Sequence, residues 1–223
     1  VLSGLINSIA AVMKHALDFI YGFVNNYGFS IIILTILIRL VMHPLVVTQT
    51  RNTEAMKELN PKLKELQTKY KNKPEVYQER MMQLYRENKV NPLGGCLPIL
   101  LQWPLLFAFF AMLRQYDFGG AGFFWIPDLT QPDPAYVLPI LSGLTTYIQT
   151  AMTATDASQR MMTFFMPVFI TAITFRFQSG LALYWVASNT FSIFQQWWIV
   201  KQMDNEKGEG KNNEIHRKHR EDN

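Results

Sequence analysis

SIIILTILIRLVMHPL, residues 30–45, is aliphatic almost throughout, yet Arg39 stands near its middle. The surrounding apolar run, residues 28–47, is long enough to cross a hydrocarbon layer as one helix. A guanidinium keeps its charge at any physiological pH. Placed at mid-bilayer, it costs roughly 2.5–3.5 kcal/mol on insertion scales. At 1.5 Å per residue Arg39 lies about 12 Å from the polar end of the run, further than its side chain comfortably reaches. Something in the rest of the chain has to make that charge tolerable.

The composition points to a membrane. Of the 223 residues 49% are hydrophobic and only 17% charged, and the charge is segregated into a few stretches. A soluble domain would mix charge into every surface helix. Four further apolar runs follow at 93–113, 136–152, 161–177 and 180–200, several with proline in or beside them. This predicts an all-α polytopic membrane protein of five transmembrane helices, the shorter ones tilted little or set in thinned bilayer. Lysine and arginine orient it. Ten lie in 48–91, one in the link 153–160 and six in 201–223, against Lys14, Arg114 and Arg176 on the other side. The expected location is a plasma membrane, with the N-terminus outside and the 48–91 segment and C-terminus cytoplasmic.

The polar segments have their own patterns. Residues 1–26 repeat apolar side chains at helical spacing, with Ser3, Asn7, Lys14 and Asp18 on the other face. This reads as an amphipathic helix along the outer interface. The alternative is a sixth span, which Lys14, His15 and Asp18 disfavour. Segment 48–91 interleaves Glu and Lys, breaks at KNKPE and resumes at Pro74, predicting a cytoplasmic helical hairpin. Residues 114–135 form the outer loop. The tail 201–223 lacks apolar periodicity and is expected to be largely disordered. The single cysteine, Cys96, excludes a disulfide framework or a multi-cysteine metal site.

No Asp or Glu lies in any of the five runs, so water rather than an acidic partner is the expected host for Arg39. Thr35 and His43 stand four residues either side of it, on one helical stripe. Gln102, Thr146, Gln149 and Asn189 offer amides and hydroxyls from the other runs, with Tyr184 and Trp185 beside them. These residues predict a positively charged hydrophilic groove, open to the cytoplasm and dry on its outer side. A transporter or anion channel would need access from both faces, and the outer halves are mostly Phe, Leu, Ile and Trp. A scaffold or chaperone that holds helices without inserting them fits the same groove. No nucleophile set, catalytic group, metal ligand set or cofactor-binding motif stands out.

NPLGGCLPILLQWPLLFAFF, residues 91–110, resembles the signature of the YidC/Oxa/Alb membrane-insertase family. The likeness extends over nearly the whole chain: an arginine-bearing first span, a basic hairpin, four more spans and a basic tail. The overall plan is similar to the short form typical of Gram-positive bacteria, whose precursor is a lipoprotein, consistent with a leader lost ahead of Val1. The resemblance implies insertion and folding of nascent membrane proteins, alone or with the Sec translocon, on ribosome-delivered substrates. It implies no cofactor, no bond cleavage and a monomeric unit. It gives Arg39 the role of drawing a substrate's hydrophilic tail into the groove while the apolar segment leaves past the third and fifth spans.

Overall fold

The computed structural model describes residues 2–91, 97–116, 118–155 and 159–221, with side chains for 4–91, 103–113, 116, 118–155 and 161–209. The described residues form eight α-helices and no strand beyond an isolated Phe123–Ile126 bridge. In chain order they are α1 (Leu2–Val24), α2 (Tyr27–Val41), α3 (His43–Lys69) and α4 (Pro74–Glu87). They continue with α5 (Leu97–Gln115), α6 (Val137–Thr153), α7 (Gln159–Thr174) and α8 (Ser179–Glu221).

The opening stretch does not make one continuous helix. Asn26 starts α2, its Oδ1 accepting from Phe29 N at 3.1 Å. Pro44 then ends it, because a proline lacks the N–H for the ladder and its ring clashes with the carbonyl four residues back. The ladder closes at Met42, and α3 leaves at 65° to α2. The single span expected over 28–47 is therefore a broken one, and α3 carries the chain straight into the hairpin. Met56 and Leu59 pack on Tyr85 and Val90 to hold α3 against α4.

α8 packs against α2 on one side and α6 on the other, and α7 pairs with α6. Gly143 makes the last pairing close, since a Cβ there would collide with Thr171. α1 packs lengthwise on α5 and α2 through Ala10, Met13, Leu17 and Ile20. Tyr21 stacks on Tyr27 at the turn between α1 and α2, and Ser8, Ile9, Val12 and Met13 line one pocket with Ile38 and Leu105. α1 thus runs antiparallel to α2, docked on the bundle. The expected amphipathic helix is present, and its pattern alone could not say that its apolar face meets α5 and α2.

The tail also departs from expectation. It continues α8 as helix to Glu221 rather than forming a disordered segment. No proline interrupts 179–221, and Lys, Gln, Glu and Met propagate the helix once the apolar part has nucleated it. Glu206 pairs with Arg51 at 3.8 Å and Lys207 pairs with Glu58, tying this extension to α3. Hydrogen bonding to Glu58 pushes the Lys207 ammonium above its ordinary pKa.

Among the described residues no single helix is long and apolar enough to cross a membrane. Only the bent pair α2 and α3 qualifies, and only together. α6 and α7 have 17 and 16 residues, about 24–26 Å at 1.5 Å each, against a hydrocarbon core of about 30 Å. α8 is longer, but a polar stripe lowers its hydropathy.

The 118–136 loop closes one end of the bundle. Phe118, Phe123, Ile126 and Leu129 are buried in it. Ser179 N and Gly180 N donate to Gln131 O and Leu129 O at 2.8 and 2.9 Å, fixing the loop onto the start of α8. Asp133 accepts from Trp125 Nε1 at 3.0 Å, Ala135 N at 3.0 Å and Leu138 N at 2.7 Å, satisfying the first turn of α6. At the same end Tyr116 donates to Asp18, and burial followed by hydrogen bonding to Asp18 and Tyr27 pushes its hydroxyl above its usual pKa.

Candidate functional site

α8 presents Tyr184, Ser188, Ser192, Gln195 and Ile199 at successive turns of one face, and α2 meets that face. Arg39 is half-buried in this seam. Its Nε and Nη2 donate to Ser188 Oγ at 3.0 and 2.5 Å. The hydroxyl is neutral, so it fixes the guanidinium's position without cancelling its charge. Thr35, one turn earlier, is 1% exposed and donates to Ile31 O at 2.7 Å. One turn later the helix has already broken, yet His43 stays on the seam: its Nδ1 lies 2.6 Å from Gln195 Nε2. The bend at Met42 thus preserves the Thr35–Arg39–His43 stripe.

A second polar set joins α8 to α6. Thr146 Oγ1 accepts from Trp185 Nε1 and from Asn189 Nδ2, both at 3.0 Å, and donates to Ser142 O at 2.6 Å. Gln149 sits on α6 just beyond Thr146, half-buried. Tyr184 is 2% exposed and stacks on Phe109 of α5, with ring centroids 4.0 Å apart. Of the residues singled out from sequence, Arg39 and Thr35 therefore share the α2–α8 seam. Thr146, Trp185 and Asn189 share the α6–α8 seam, and Tyr184 links α8 to α5. The Gln102 side chain lies outside the described residues. The sequence put His43 on the Arg39 stripe but paired neither His43 with Gln195 nor Arg39 with Ser188. The signal was available in the heptad-like spacing of Ser188, Ser192 and Gln195 opposite Arg39 and His43.

A third junction forms where α3, α6 and α8 converge. Met152 O, in the last turn of α6, accepts from Lys57 Nζ at 2.5 Å and from Gln196 Nε2 at 3.3 Å. Asn60 Nδ2 donates to Thr155 O just beyond. Orphan carbonyls at a helix C-terminus attract such donors, and a lysine there also suits the helix dipole.

A family model described as 60Kd inner membrane protein matches residues 19–207. The chain belongs to that family. Relatives of the 60Kd inner membrane protein family include the membrane protein insertase YidC of Caldanaerobacter subterraneus, 42% identical over 203 residues. That alignment covers 91% of this chain and 98% of the relative. The YidC of Fusobacterium nucleatum is 39% identical over 204 residues, covering 90% and 99%. The YidC of Wolinella succinogenes is longer: 40% identity over 209 residues covers 92% of this chain and 39% of that protein. A crystal structure of an active YidC insertase with its first transmembrane domain resolved matches at a TM-score of 0.69 and 26% identity. The match covers 84% of this chain and 45% of that one. The family is one of inner-membrane proteins, so this all-helical member is a membrane protein.

Proposed function

We infer that the chain is a membrane-protein insertase that receives the hydrophilic tail of its substrate at Arg39. The observation that carries this is the guanidinium held by Ser188 inside a seam between apolar helices, in a chain whose relatives are insertases. Moving a polar tail through lipid is slow because each desolvated group costs several kcal/mol. A polar seam reaching the middle of the bundle shortens the dry path. A charge in that low-dielectric setting attracts an acidic tail more strongly than it would in water.

In this reading five segments cross the membrane, carried by α2 with the start of α3, α5, α6, α7 and the apolar part of α8. The basic hairpin and tail face the cytoplasm, a placement that the distribution of Lys and Arg supports. The short α6 and α7 thin the bilayer beside the seam, which lowers the barrier further. Substrate enters from the cytoplasmic end and its apolar segment leaves between α6 and α8. Thr146, Gln149, Tyr184, Trp185 and Asn189 line that route with Thr35. Cooperation with the Sec translocon and delivery by the ribosome belong to the same proposal and rest on the family resemblance. The process needs no nucleotide, metal or bond cleavage.

Reconstituted insertion tests it. Liposomes carrying wild type, Arg39→Lys or Arg39→Ala receive a single-span substrate with an acidic N-terminal tail, and protection of that tail from protease is scored. Wild type and the lysine variant protect it; the alanine variant does not. Full protection by Arg39→Ala would remove the arginine from the mechanism, and no protection by wild type would remove the insertase reading.

A further inference from the structure

Past Arg39, towards α3, three side chains are buried and each leaves a polar atom without a protein hydrogen-bond partner: Gln49 Nε2, Ser192 Oγ and Gln195 Oε1. Their residues are 5%, 7% and 4% exposed. Burying an unsatisfied amide or hydroxyl costs free energy, and an apolar side chain of similar shape would avoid that cost. Ser142 Oγ on α6 is another such atom, but these three lie on α3 and α8.

Their placement is coherent. Ser192 lies one turn beyond the Ser188 that holds Arg39, and Gln195 one turn further on the same face of α8. The Gln195 amide is pinned at one end by His43. Its Nε2 end faces His43 Nδ1, which leaves Oε1 as the end without a partner. Gln49 lies on α3 between His43, which touches Gln195, and Lys57, which shares Met152 O with Gln196. It therefore lies on the part of α3 that runs from the α8 seam to the junction of α3, α6 and α8.

We propose that Gln49, Ser192 and Gln195 form a main-chain-binding subsite that hydrogen-bonds the peptide groups of the substrate's tail irrespective of its sequence. This rests on the insertase reading and adds the chemical class that the seam recognises next to Arg39. Gln49 supplies a donor, Gln195 an acceptor and Ser192 either, which matches the C=O and N–H that every peptide unit presents. Ser192 and Gln195 stand about 4.5 Å apart along the α8 axis, and an extended chain advances about 3.3 Å per residue. Neighbouring peptide groups of one strand can therefore serve both. All three groups are neutral, so they neither repel a basic tail nor favour an acidic one. Arg39 reads charge; this subsite reads backbone.

The test compares two single-span substrates in reconstituted liposomes, one with an acidic tail and one with a neutral Ser/Asn tail of equal length. The variants are Gln49→Leu, Gln195→Leu and Ser192→Ala, with Arg39→Ala as reference. Insertion of both tails should fall by the same factor, about tenfold for each Leu variant, which corresponds to one hydrogen bond of about 1.4 kcal/mol. Thermal unfolding temperatures in detergent should stay level or rise. Arg39→Ala should penalise only the acidic tail. A tail in which ester linkages replace amides lacks the N–H donors that Gln195 Oε1 accepts. It should reduce wild-type insertion to the Gln195→Leu level and leave that variant unchanged. Unaltered insertion with a raised unfolding temperature would overturn the subsite and leave the insertase reading standing. So would a loss confined to the acidic tail, or a loss that tracks a lowered unfolding temperature. If wild type inserts neither tail, both proposals fall together.

Discussion

The two ends of the bundle treat buried polar groups in opposite ways. In the 118–136 loop, Asp133 is 2% exposed and accepts three hydrogen bonds, and Phe118, Phe123 and Ile126 of the same loop are buried. Beyond Arg39, Gln49, Ser192 and Gln195 are equally buried and leave hydrogen-bonding capacity unused. Closure and binding call for different chemistry. A plug is most stable when every donor and acceptor is satisfied within the chain, whereas a site that must accept a passing polypeptide has to keep some of them for it. Stability should therefore concentrate at the closed end and activity at the other.

That contrast can be broken deliberately, beginning where the effect is largest. Asp133→Ala should destabilise the fold by roughly 1–3 kcal/mol, because it strands the buried Leu138 N–H and releases the more exposed Trp125 indole and Ala135 N–H from their shared acceptor. Urea unfolding in detergent micelles would register it, and a change under 1 kcal/mol would mean the loop is not the stable end. Gly28→Leu should follow at about 1–3 kcal/mol, since a side chain there collides with the Phe123 ring and overpacks the plug. A thermal melt gives the comparison, and insertion should decline only as far as the folded fraction does.

Asn189→Leu sharpens the comparison from the other side. It removes the bonds to Thr146 and Thr145 at 3.0 and 3.4 Å, and hydrogen bonds between membrane helices average about 0.6 kcal/mol. Its unfolding temperature should barely move. A disulfide formed between cysteines placed on α6 and α8, one on each side of this seam, should nevertheless form faster in the variant if the seam opens more easily.

Lys207→Ala comes last, below about 1 kcal/mol, because exposed ion pairs contribute little and are screened by salt. The pair with Glu58 raises the Lys207 pKa, so its contribution is present below the ordinary lysine value and is lost only as pH climbs through the raised one. Limited proteolysis of the 201–223 segment at rising salt should therefore expose the tail helix, whereas acidifying from pH 8 to pH 6 should leave this particular tie alone.

Much of the architecture was legible because apolar runs and their punctuation are local signals. The runs at 136–152 and 161–177 became α6 and α7 to within a few residues. Three features were not legible, each for a physical reason. Pro44 at the edge of an apolar run is compatible with a tolerated kink or a full break, and only packing against α8 decides between them. The tail carries no apolar period, so its helix depends on nucleation by the preceding segment and on charges offered by α3. The apolar stripe of α1 shows that one face is buried but not whether lipid or the rest of the bundle buries it. At the site, Arg39, Thr35, Thr146 and Asn189 stood out because polar residues are scarce among such neighbours. Their partners could not be read, since pairing Arg39 with Ser188 spans 149 positions.

The break at Met42 joins Arg39 to a long helix that carries Pro61 in its far half. α3 has 27 residues, about 40 Å at 1.5 Å each, and α4 folds back along it through Tyr85 and Val90. A turn of only 5° about Met42 would carry the far end of α3 through roughly 3–4 Å on that length. In reverse, a load applied at the hairpin tip reaches His43 with its force multiplied several-fold. A hairpin coupled to the seam in this way would turn large, gentle displacements at its tip into small, forceful ones beside the guanidinium.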